Sequence, residues 1–281
     1  LLDDLGVSHR DCRQEGSYLP VNNRGDYLFN TTIEGIEEAD LCLIIGSNPR
    51  TEAPLLNARL RKRFHEGKFP VGVMGPRADL TYPYEHLHEF ALGLNELASG
   101  ESSFCKALEK AKKPMMILGQ PALSSLEGES IYKTARFLAQ KFGVIQEEWN
   151  GFNILHTSAG RVGALDVGFV PLAGGYDIFD IFKASKVGRL KFIYLVGVDE
   201  IPMESFGDAF VVYQGHHGDK GAHRADIVLP GAAYTEKDAL YVNMEGRVQR
   251  AHKAAPLLGD AKEDWKIIRA LSELLGHELP Y

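Results

Sequence analysis

Short apolar segments that each end at a glycine recur along the whole chain, and they constrain the fold more than any other feature. Four of them are residues 40–45 before Gly46, 69–74 before Gly75, 114–118 before Gly119 and 191–196 before Gly197. Segments with helical spacing of apolar residues lie between them. Strands that alternate with helices form parallel sheets, because a parallel pair needs a long crossover connection. The sequence therefore predicts an α/β fold, doubly wound and mostly parallel, in two lobes.

The predicted division between the lobes falls near residue 110, because the alternation of strand and helix restarts close to Lys113. The lobes are residues 1–110, residues 111–206, and a glycine-loop segment over 207–281 that completes the fold with a C-terminal helix. The face of that helix that is spaced for packing carries Trp265, Ile268, Leu271 and Leu275. A helix from Ala53 to about Glu66 is also predicted to cover the sheet, through a face with Leu55, Leu56, Leu60 and Phe64.

Residues 213–249 are the most distinctive stretch of the sequence. Two short predicted strands, one leading into this stretch and one inside it, each enter a glycine-rich turn. The first strand breaks at Gly215, Gly218 and Gly221, and the second stops at Pro230-Gly231. Because the backbone turns sharply there, a side chain at Gly218 or Gly231 is expected to clash or to demand unfavourable dihedrals. Glycine turns at strand ends are where open α/β sheets hold ligands, since backbone N–H groups there can approach a phosphate closely. A third turn carries an amide, a carboxylate and a guanidinium, on Asn243, Glu245 and Arg247.

Composition excludes several classes of function. The 281 residues can bury a sizeable core, and 25% charged with 44% hydrophobic residues is typical of soluble globular proteins. A net charge of -7 argues against a nucleic-acid partner. No apolar run reaches the roughly 20 residues that a membrane span needs. No signal or transit peptide is visible, and because Leu1 begins without an initiator Met we expect that an upstream segment is missing.

The three cysteines, Cys12, Cys42 and Cys105, are far apart in the sequence. An iron–sulfur cluster needs about four thiolates, usually with some at close spacing. We therefore predict that this chain holds no cluster by itself. Disulfides are not expected either, because Cys42 falls inside an apolar strand, and a reducing compartment fits this pattern.

Other polar groups have ordinary structural explanations. His216, His217, Asp219 and His223 match no strong zinc signature, so no metal site is predicted. Glu236, Glu245 and Arg247 are predicted to join neighbouring loops, and Asn243 to bond its own backbone. Asn30-Thr31-Thr32 is formally a glycosylation sequon, but Thr31 or Thr32 as a helix N-cap is the favoured interpretation. No catalytic residue is predicted.

Several of these segments together resemble the molybdopterin oxidoreductase family. They are Ala225-Asp226-Ile227-Val228-Leu229-Pro230, Thr235-Glu236-Lys237, Asn243, and Glu245-Gly246-Arg247-Val248-Gln249. Within that family, Gln214-Gly215-His216-His217-Gly218-Asp219 and the run from Gly231 to Lys237 are similar to the large (75 kDa-type) iron–sulfur subunits of respiratory complex I, NADH:ubiquinone oxidoreductase. The ending over residues 263–273 is similar as well. The resemblance covers nearly all of the chain.

The resemblance implies a structural, non-catalytic module that supports electron transfer from NADH to ubiquinone. The iron–sulfur clusters of such subunits lie in an N-terminal part that this sequence lacks. The region present corresponds to the molybdopterin-type domain, which in complex I keeps the fold as a relic. The implied partners are that cluster-bearing part and other peripheral-arm subunits. The implied location is the mitochondrial inner membrane on its matrix side, or the bacterial inner membrane on its cytoplasmic side, with no membrane span in the chain itself.

The alternative is part of a catalytic molybdenum or tungsten oxidoreductase, such as a formate dehydrogenase. Its glycine loops would hold a pterin, and the candidate pocket residues are Gly46, Asn48, Gly215, Asp219, Asn243 and Arg247. The setting of Cys12 does not match the metal-ligating cysteine of such enzymes. We therefore expect no cofactor on this chain and substantial protein interfaces instead. Candidate surfaces are the basic helix face with Arg59 and Arg63, and the irregular segment 147–175.

Overall fold

The buried run Leu41–Ile45 forms β1, the central strand of a five-stranded parallel sheet. In the computed structural model, which describes residues 1–281, the other strands are β2 (Val71–Met74), β3 (Glu85–His86), β4 (Pro114–Gly119) and β5 (Phe152–Leu155). The strand order is β3-β2-β1-β4-β5, and every pairing is parallel.

Seven helices accompany this sheet: α1 (Pro49–Glu52), α2 (Pro54–His65), α3 (Phe90–Ser99), α4 (Cys105–Lys110), α5 (Gln120–Leu123), α6 (Gly128–Lys141) and α7 (Arg161–Asp166). Short 3-10 turns, Arg24–Asp26 and Glu34–Glu38, precede β1. The strand order changes direction between β1 and β4, so right-handed crossovers place helices on both faces of the sheet. Every residue of β1 and β4 is accordingly buried, and the predicted doubly wound parallel fold is confirmed here.

A second parallel sheet lies in the last third of the chain. It contains β6 (Phe192–Val196), β7 (Phe210–Gly215) and β8 (Ile227–Pro230), in that order. The other elements there are α8 (Ile178–Lys186), a 3-10 turn (Met203–Phe206), α9 (Lys220–Arg224), the strand pair β9 (Ala239–Val242) with β10 (Val248–Ala251), and α10 (Asp264–Leu274). No helix of the protein combines the length and the apolar character that crossing a bilayer requires.

The chain divides into two compact units, but not at the predicted boundary near residue 110. The five-stranded unit comprises Ser17–Asp166 and Val242–Arg247, and the three-stranded unit comprises Leu1–Gly16, Val167–Tyr241 and Val248–Tyr281. Residue 110 is instead the last residue of α4, and the next strand, β4, hydrogen-bonds between β1 and β5 within one sheet. The restart of the alternating pattern at Lys113 therefore marks another strand of the first sheet. Nor is segment 147–175 wholly irregular, because it contains β5 and α7.

Two helix faces differ from the predicted ones. On α2, Leu55 is 86% exposed although its spacing placed it on the packing face, while Asn57 is buried. The Asn57 side chain donates to Leu80 O and accepts from the Tyr82 hydroxyl, so its polar atoms are satisfied inside the core. On α10, Trp265 and Leu275 remain about half exposed, and Ser272 is the buried residue of that helix.

Candidate functional site

The turn after β1 is closed by the chain's own packing. Gly46 has a φ of 62°, and a Cβ built on it would lie 2.3 Å from the Cβ of Ala122 in α5. A Cβ on Gly119 would in turn lie 2.2 Å from the carbonyl oxygen of Gly46. In doubly wound sheets the ligand crevice lies where the strand order reverses, here between β1 and β4. At Gly46 the lack of a side chain therefore allows α5 to pack against this edge.

The polar groups of the same turn bind a carboxylate of the protein itself. Glu52 accepts a hydrogen bond from the backbone N–H of Asn48 at 2.7 Å and another from the Ser47 hydroxyl at 3.0 Å. The Asn48 side chain accepts from the backbone N–H of Arg50 at 3.2 Å and so caps α1. In a βα turn these backbone donors are the groups that would face an anionic ligand. Here Glu52 supplies the anion.

The turn after β7 is organised around the Tyr213 side chain. A Cβ on Gly215 would lie 2.2 Å from the Tyr213 ring, so this glycine leaves room for the ring. The Tyr213 hydroxyl donates to one oxygen of Asp219, and the other oxygen accepts from the backbone N–H of Ala222 at 3.1 Å, which caps α9. Burial acts to raise the pKa of Asp219, but the hydrogen bonds from Tyr213 and from backbone N–H groups outweigh it and hold that pKa below its ordinary value.

The loop Val242–Arg247 is held by Asn243. Its side-chain oxygen accepts from the backbone N–H of Glu245 at 3.0 Å and of Arg247 at 2.9 Å, and its side-chain nitrogen donates to Glu245 at 3.2 Å. The prediction that Asn243 bonds its own backbone is confirmed. The Arg247 side chain is largely exposed, and its nearest carboxylate oxygen, on Glu245, lies 3.8 Å away.

Three contacts join this loop to the rest of the five-stranded unit. Glu245 accepts from the backbone N–H of Ile33 at 2.5 Å, and Phe29 N–H donates to Met244 O at 2.8 Å. Arg24 donates to Gly246 O at 2.8 Å. Gly246 has a φ of 81°, and a Cβ there would meet the Arg24 guanidinium at 2.8 Å. As predicted, Glu245 joins neighbouring segments.

An ion-pair network in the three-stranded unit was missed by the sequence reasoning. Gln214, which is fully buried, accepts from the Tyr194 hydroxyl at 2.5 Å and donates to Asp264 at 2.8 Å. The second oxygen of Asp264 binds the Lys237 ammonium. Asp264 therefore connects β7, the Thr235-Glu236-Lys237 segment and the start of α10. Gln214, Lys237 and Asp264 each belong to a separate sequence motif, and only the fold shows that the three motifs meet.

The remaining candidate groups serve structural roles. Burial raises the pKa of the Cys42 thiol inside β1, and burial is also the main cause that raises the pKa of Cys105. No group of three or more His, Cys, Asp or Glu side chains is arranged to hold a metal ion. The Asn30 side-chain nitrogen, which a glycan would need, donates to Phe152 O at 2.5 Å and Gly25 O at 2.8 Å. Thr32 accepts from the Gly35 N–H at 3.0 Å, but the N-cap of the Glu34–Glu38 turn is Ile33, so the predicted N-cap at Thr31 or Thr32 is wrong by at least one residue.

Four of the six candidate pocket residues, namely Gly46, Asn48, Asn243 and Arg247, belong to the five-stranded unit, whereas Gly215 and Asp219 belong to the three-stranded unit. Gly215 and Asp219 meet around Tyr213, and Asn243 and Arg247 share one loop. The backbone at Gly46 and Gly215 is packed against protein atoms, and the side chains of Asn48, Asp219 and Asn243 bind protein groups. These residues as they stand therefore do not fit a pterin.

Known proteins share sequence similarity with nearly the whole of this chain. The sequence model of the molybdopterin oxidoreductases matches residues 1–274. The 75 kDa subunit of NADH-ubiquinone oxidoreductase from Reclinomonas americana is 50% identical over 258 residues, which are 92% of this chain and 37% of that protein. A subunit of the NADH-quinone oxidoreductase from Rickettsia bellii is 42% identical over 274 residues, which are 98% of this chain and 39% of that protein.

A third relative, iron-sulfur protein 1 of the mitochondrial NADH dehydrogenase [ubiquinone] from Solanum tuberosum, is 40% identical over 283 residues, covering 100% of this chain and 37% of that protein. Among solved structures, acetylene hydratase from Pelobacter acetylenicus superimposes with a TM-score of 0.60 at 15% identity, covering 94% of this chain and 49% of that one. That likeness concerns the fold alone. The chain spans 37 to 39% of the length of these three relatives.

Proposed function

Because this chain belongs to the molybdopterin oxidoreductase family, we propose that it is a structural, non-catalytic module of the iron–sulfur subunit in the peripheral arm of a respiratory complex I. Identities of 40 to 50% to subunits of NADH dehydrogenases support this proposal. As such a module, the chain would support electron transfer from NADH to ubiquinone by holding neighbouring parts in place.

The observation that carries the proposal is that residues of the family's motifs bind one another. Glu52 fills the anion position of the first βα turn. Asp264 joins Gln214 to Lys237, and Asn243 organises its own loop. A site kept for a ligand would present such donors to the ligand, whereas here they stabilise the fold. The chain itself accordingly carries no pterin and no iron–sulfur cluster in this proposal, and the clusters belong to another part of the subunit.

The partners in this proposal are the cluster-bearing part of the subunit and other peripheral-arm subunits. On the basic face of α2, Arg59 and Lys62 both pair with Glu37, at 2.8 and 2.7 Å. Arg63 donates to Ala39 O at 2.7 Å and lies over the Phe69 ring. Arg63 therefore serves its own unit, and we assign the docking face of α2 to the exposed Leu55, Ala58 and Lys62, which share one side of the helix. The module would lie at the mitochondrial inner membrane on its matrix side, or at a bacterial inner membrane on its cytoplasmic side.

Co-purification tests the proposal. Membranes are solubilised, the particle with NADH dehydrogenase activity is isolated, and its peptides are identified by mass spectrometry. We expect peptides of this sequence in that particle, at the same stoichiometry as its other subunits. The same particle is analysed for molybdenum and tungsten and for extractable pterin. Recovery of the chain outside this particle, with stoichiometric molybdenum or tungsten, would instead support a catalytic oxidoreductase such as a formate dehydrogenase.

A further inference from the structure

Residues 8–16, which we call the strap, lie on the three-stranded unit without a buried apolar anchor. Every residue of the strap is half-buried, and none is fully buried. The strap bonds to the segment that precedes α8, where Leu172 N–H donates to Ser8 O at 3.2 Å and Phe169 O accepts from Cys12 N–H at 3.0 Å. A segment with few buried apolar contacts has low local stability, so single polar contacts decide whether the strap stays bound.

The His9 imidazole makes the one strap contact that depends on the charge of a histidine. Its Nδ1 accepts a hydrogen bond from the backbone N–H of Tyr176 at 3.0 Å, and its ring stacks on the Tyr176 ring with centroids 4.1 Å apart. A backbone N–H can only donate, so Nδ1 must carry a lone pair and no proton. His9 is therefore neutral in this arrangement, with its proton on Nε2.

Protonation of His9 removes this acceptor. An imidazolium carries a hydrogen on both ring nitrogens, so Nδ1 and the Tyr176 nitrogen become two donors that face each other at 3.0 Å. Attraction between the imidazolium and the Tyr176 ring cannot restore the bond, because both facing nitrogens still carry a hydrogen. Histidine is the side chain whose charge ordinarily changes between about pH 5 and 8, so a fall in pH across that range breaks the contact.

The charged groups around His9 are engaged with other partners. The other charged or titratable groups on the strap and at the start of α8 are Arg10, Asp11, Cys12, Arg13, Glu15, Asp177 and Asp180. Arg10 pairs with Asp3 at 2.7 Å, and Arg13 pairs with Asp11 at 2.8 Å. Asp177 caps α8 by accepting from the backbone N–H of Asp180 at 2.9 Å. None of these carboxylates hydrogen-bonds or pairs with the His9 ring, so none holds an imidazolium in place of the lost bond.

We propose that His9 is a pH-sensitive latch: the neutral imidazole holds the strap on the three-stranded unit, and protonation releases the strap. The loss spreads along the strap because Ser8 O and Cys12 N–H, which make the neighbouring bonds, lie one and three residues from His9. Gly16 at the end of the strap packs so closely on Phe179 that a Cβ there would lie 2.2 Å from the ring. Release of the strap therefore also exposes more of the Phe179 ring.

Amide hydrogen exchange of the native polypeptide, at single-residue resolution and at about pH 8 and pH 5, tests this proposal without reference to complex I. The rates are compared as protection factors, which removes the intrinsic effect of pH on exchange. We expect the protection of the Tyr176, Leu172 and Cys12 amides to fall together by roughly tenfold or more at the lower pH. The amides of Val211 and Tyr213 are the internal control and should keep their protection, because β7 is paired on both sides.

Replacement of His9 by phenylalanine separates the latch from a general effect of pH. Phenylalanine can stack on Tyr176 but has no acceptor nitrogen, so in His9→Phe the protection of the Tyr176, Leu172 and Cys12 amides should be low at both pH values. His217→Phe is the matched control, because His217 is an exposed histidine of the same unit, and this variant should behave as the wild type.

Exchange of the imidazole C2 hydrogen, followed by mass spectrometry in the wild type, reports when His9 becomes protonated. The proposal is overturned if His9 stays neutral down to about pH 5, or if the strap amides keep their protection after His9 is protonated. A loss of protection at Tyr176 alone would also overturn it, because the strap would then remain bound. A fall in protection in His9→Phe as large as that of the wild type would assign the pH effect to another group.

Discussion

Replacement of Asp264 by alanine tests the inference that motif residues act as internal cross-links. The substitution removes the acceptor for the Gln214 side-chain nitrogen at 2.8 Å and the partner of the Lys237 ammonium. Gln214 is fully buried, so its side-chain nitrogen is left without a protein acceptor. We expect the three-stranded unit to lose stability while the five-stranded unit keeps its own.

The magnitude follows from two contributions. A buried donor left without an acceptor costs about 1–3 kcal/mol. The ion pair with the partly exposed Lys237 adds at most about 1 kcal/mol. The free energy of unfolding should therefore fall by about 1–4 kcal/mol, which lowers the urea midpoint by about 0.5–2 M at an m value near 2 kcal/mol/M. Asp264→Asn keeps an acceptor oxygen for Gln214, and its loss should stay near 1 kcal/mol.

The two tryptophans allow the two units to be monitored separately. Trp265 follows Asp264 at the start of α10, and Trp149 lies in the five-stranded unit. Fluorine NMR of protein labelled with 5-fluorotryptophan gives one signal from each residue, and urea titration follows both. Equal midpoints for Asp264→Ala and the wild type at Trp265 would refute the reasoning. An equal loss for Asp264→Asn and Asp264→Ala would show that charge, rather than the Gln214 hydrogen bond, is what matters.

Three further predictions concern the glycine turns. Gly46→Val should lower the free energy of unfolding, measured by urea titration, by about 2–4 kcal/mol, because it adds left-handed backbone strain to a clash with Ala122. The control is Gly218→Ala, whose new side chain would lie in open space and whose stability should stay within about 0.5 kcal/mol of wild type. Because the pKa of Asp219 is lowered in the folded state, its ionised carboxylate stabilises the fold fully above the ordinary carboxyl pKa of about 3.9, and this stabilisation is lost as pH falls through the lower folded-state pKa. Between about pH 5 and 2.5 the urea midpoint of Asp219→Asn should therefore fall less than that of the wild type. Gly231→Val, whose Cβ would lie 3.2 Å from the Asp264 carboxylate, should reduce assembled complex on a native gel more than it changes any bound cofactor, and normal assembly with loss of a bound cofactor would reverse this ranking.

The glycine turns also differ from one expectation based on the sequence. Gly218 lies in the motif that predicted a constrained turn, yet a Cβ there would meet nothing within 4 Å and its φ is not positive. Gly215 in the same motif is constrained, because the Tyr213 ring occupies the space beside it. Spacing alone cannot separate the two, since the constraint comes from a side chain that folds back on the turn.

The α2 helix shows a second limit of pattern reasoning. Leu55 and Leu56 are adjacent, and the apolar spacing placed both on the packing face. Only Leu56 is buried, and Asn57 takes the other position because Leu80 O and the Tyr82 hydroxyl satisfy its amide. A buried amide is stable only where such partners exist. Those partners lie more than 20 residues away in the sequence, so no local pattern reveals them.

The sequence by itself determined which segments form strands and helices, and with them the α/β class of the fold. Strands such as β1, β4 and β6 follow from β-branched and apolar runs that end at glycine, because side-chain sterics and turn conformations are local properties. The alternation of strands with helices predicted parallel sheets, and the five-stranded and three-stranded sheets are both parallel.

Only the tertiary structure decided how the elements are grouped and which polar groups meet. It placed β4 between β1 and β5 rather than in a second lobe, and it brought Gln214, Lys237 and Asp264 into one network. Strand order and burial depend on contacts between distant segments, whose free energy is set by packing and by the satisfaction of buried polar groups. For the same reason the sequence does not show that Phe192 is exposed while Ile193 is buried, since the two are simply consecutive apolar residues there.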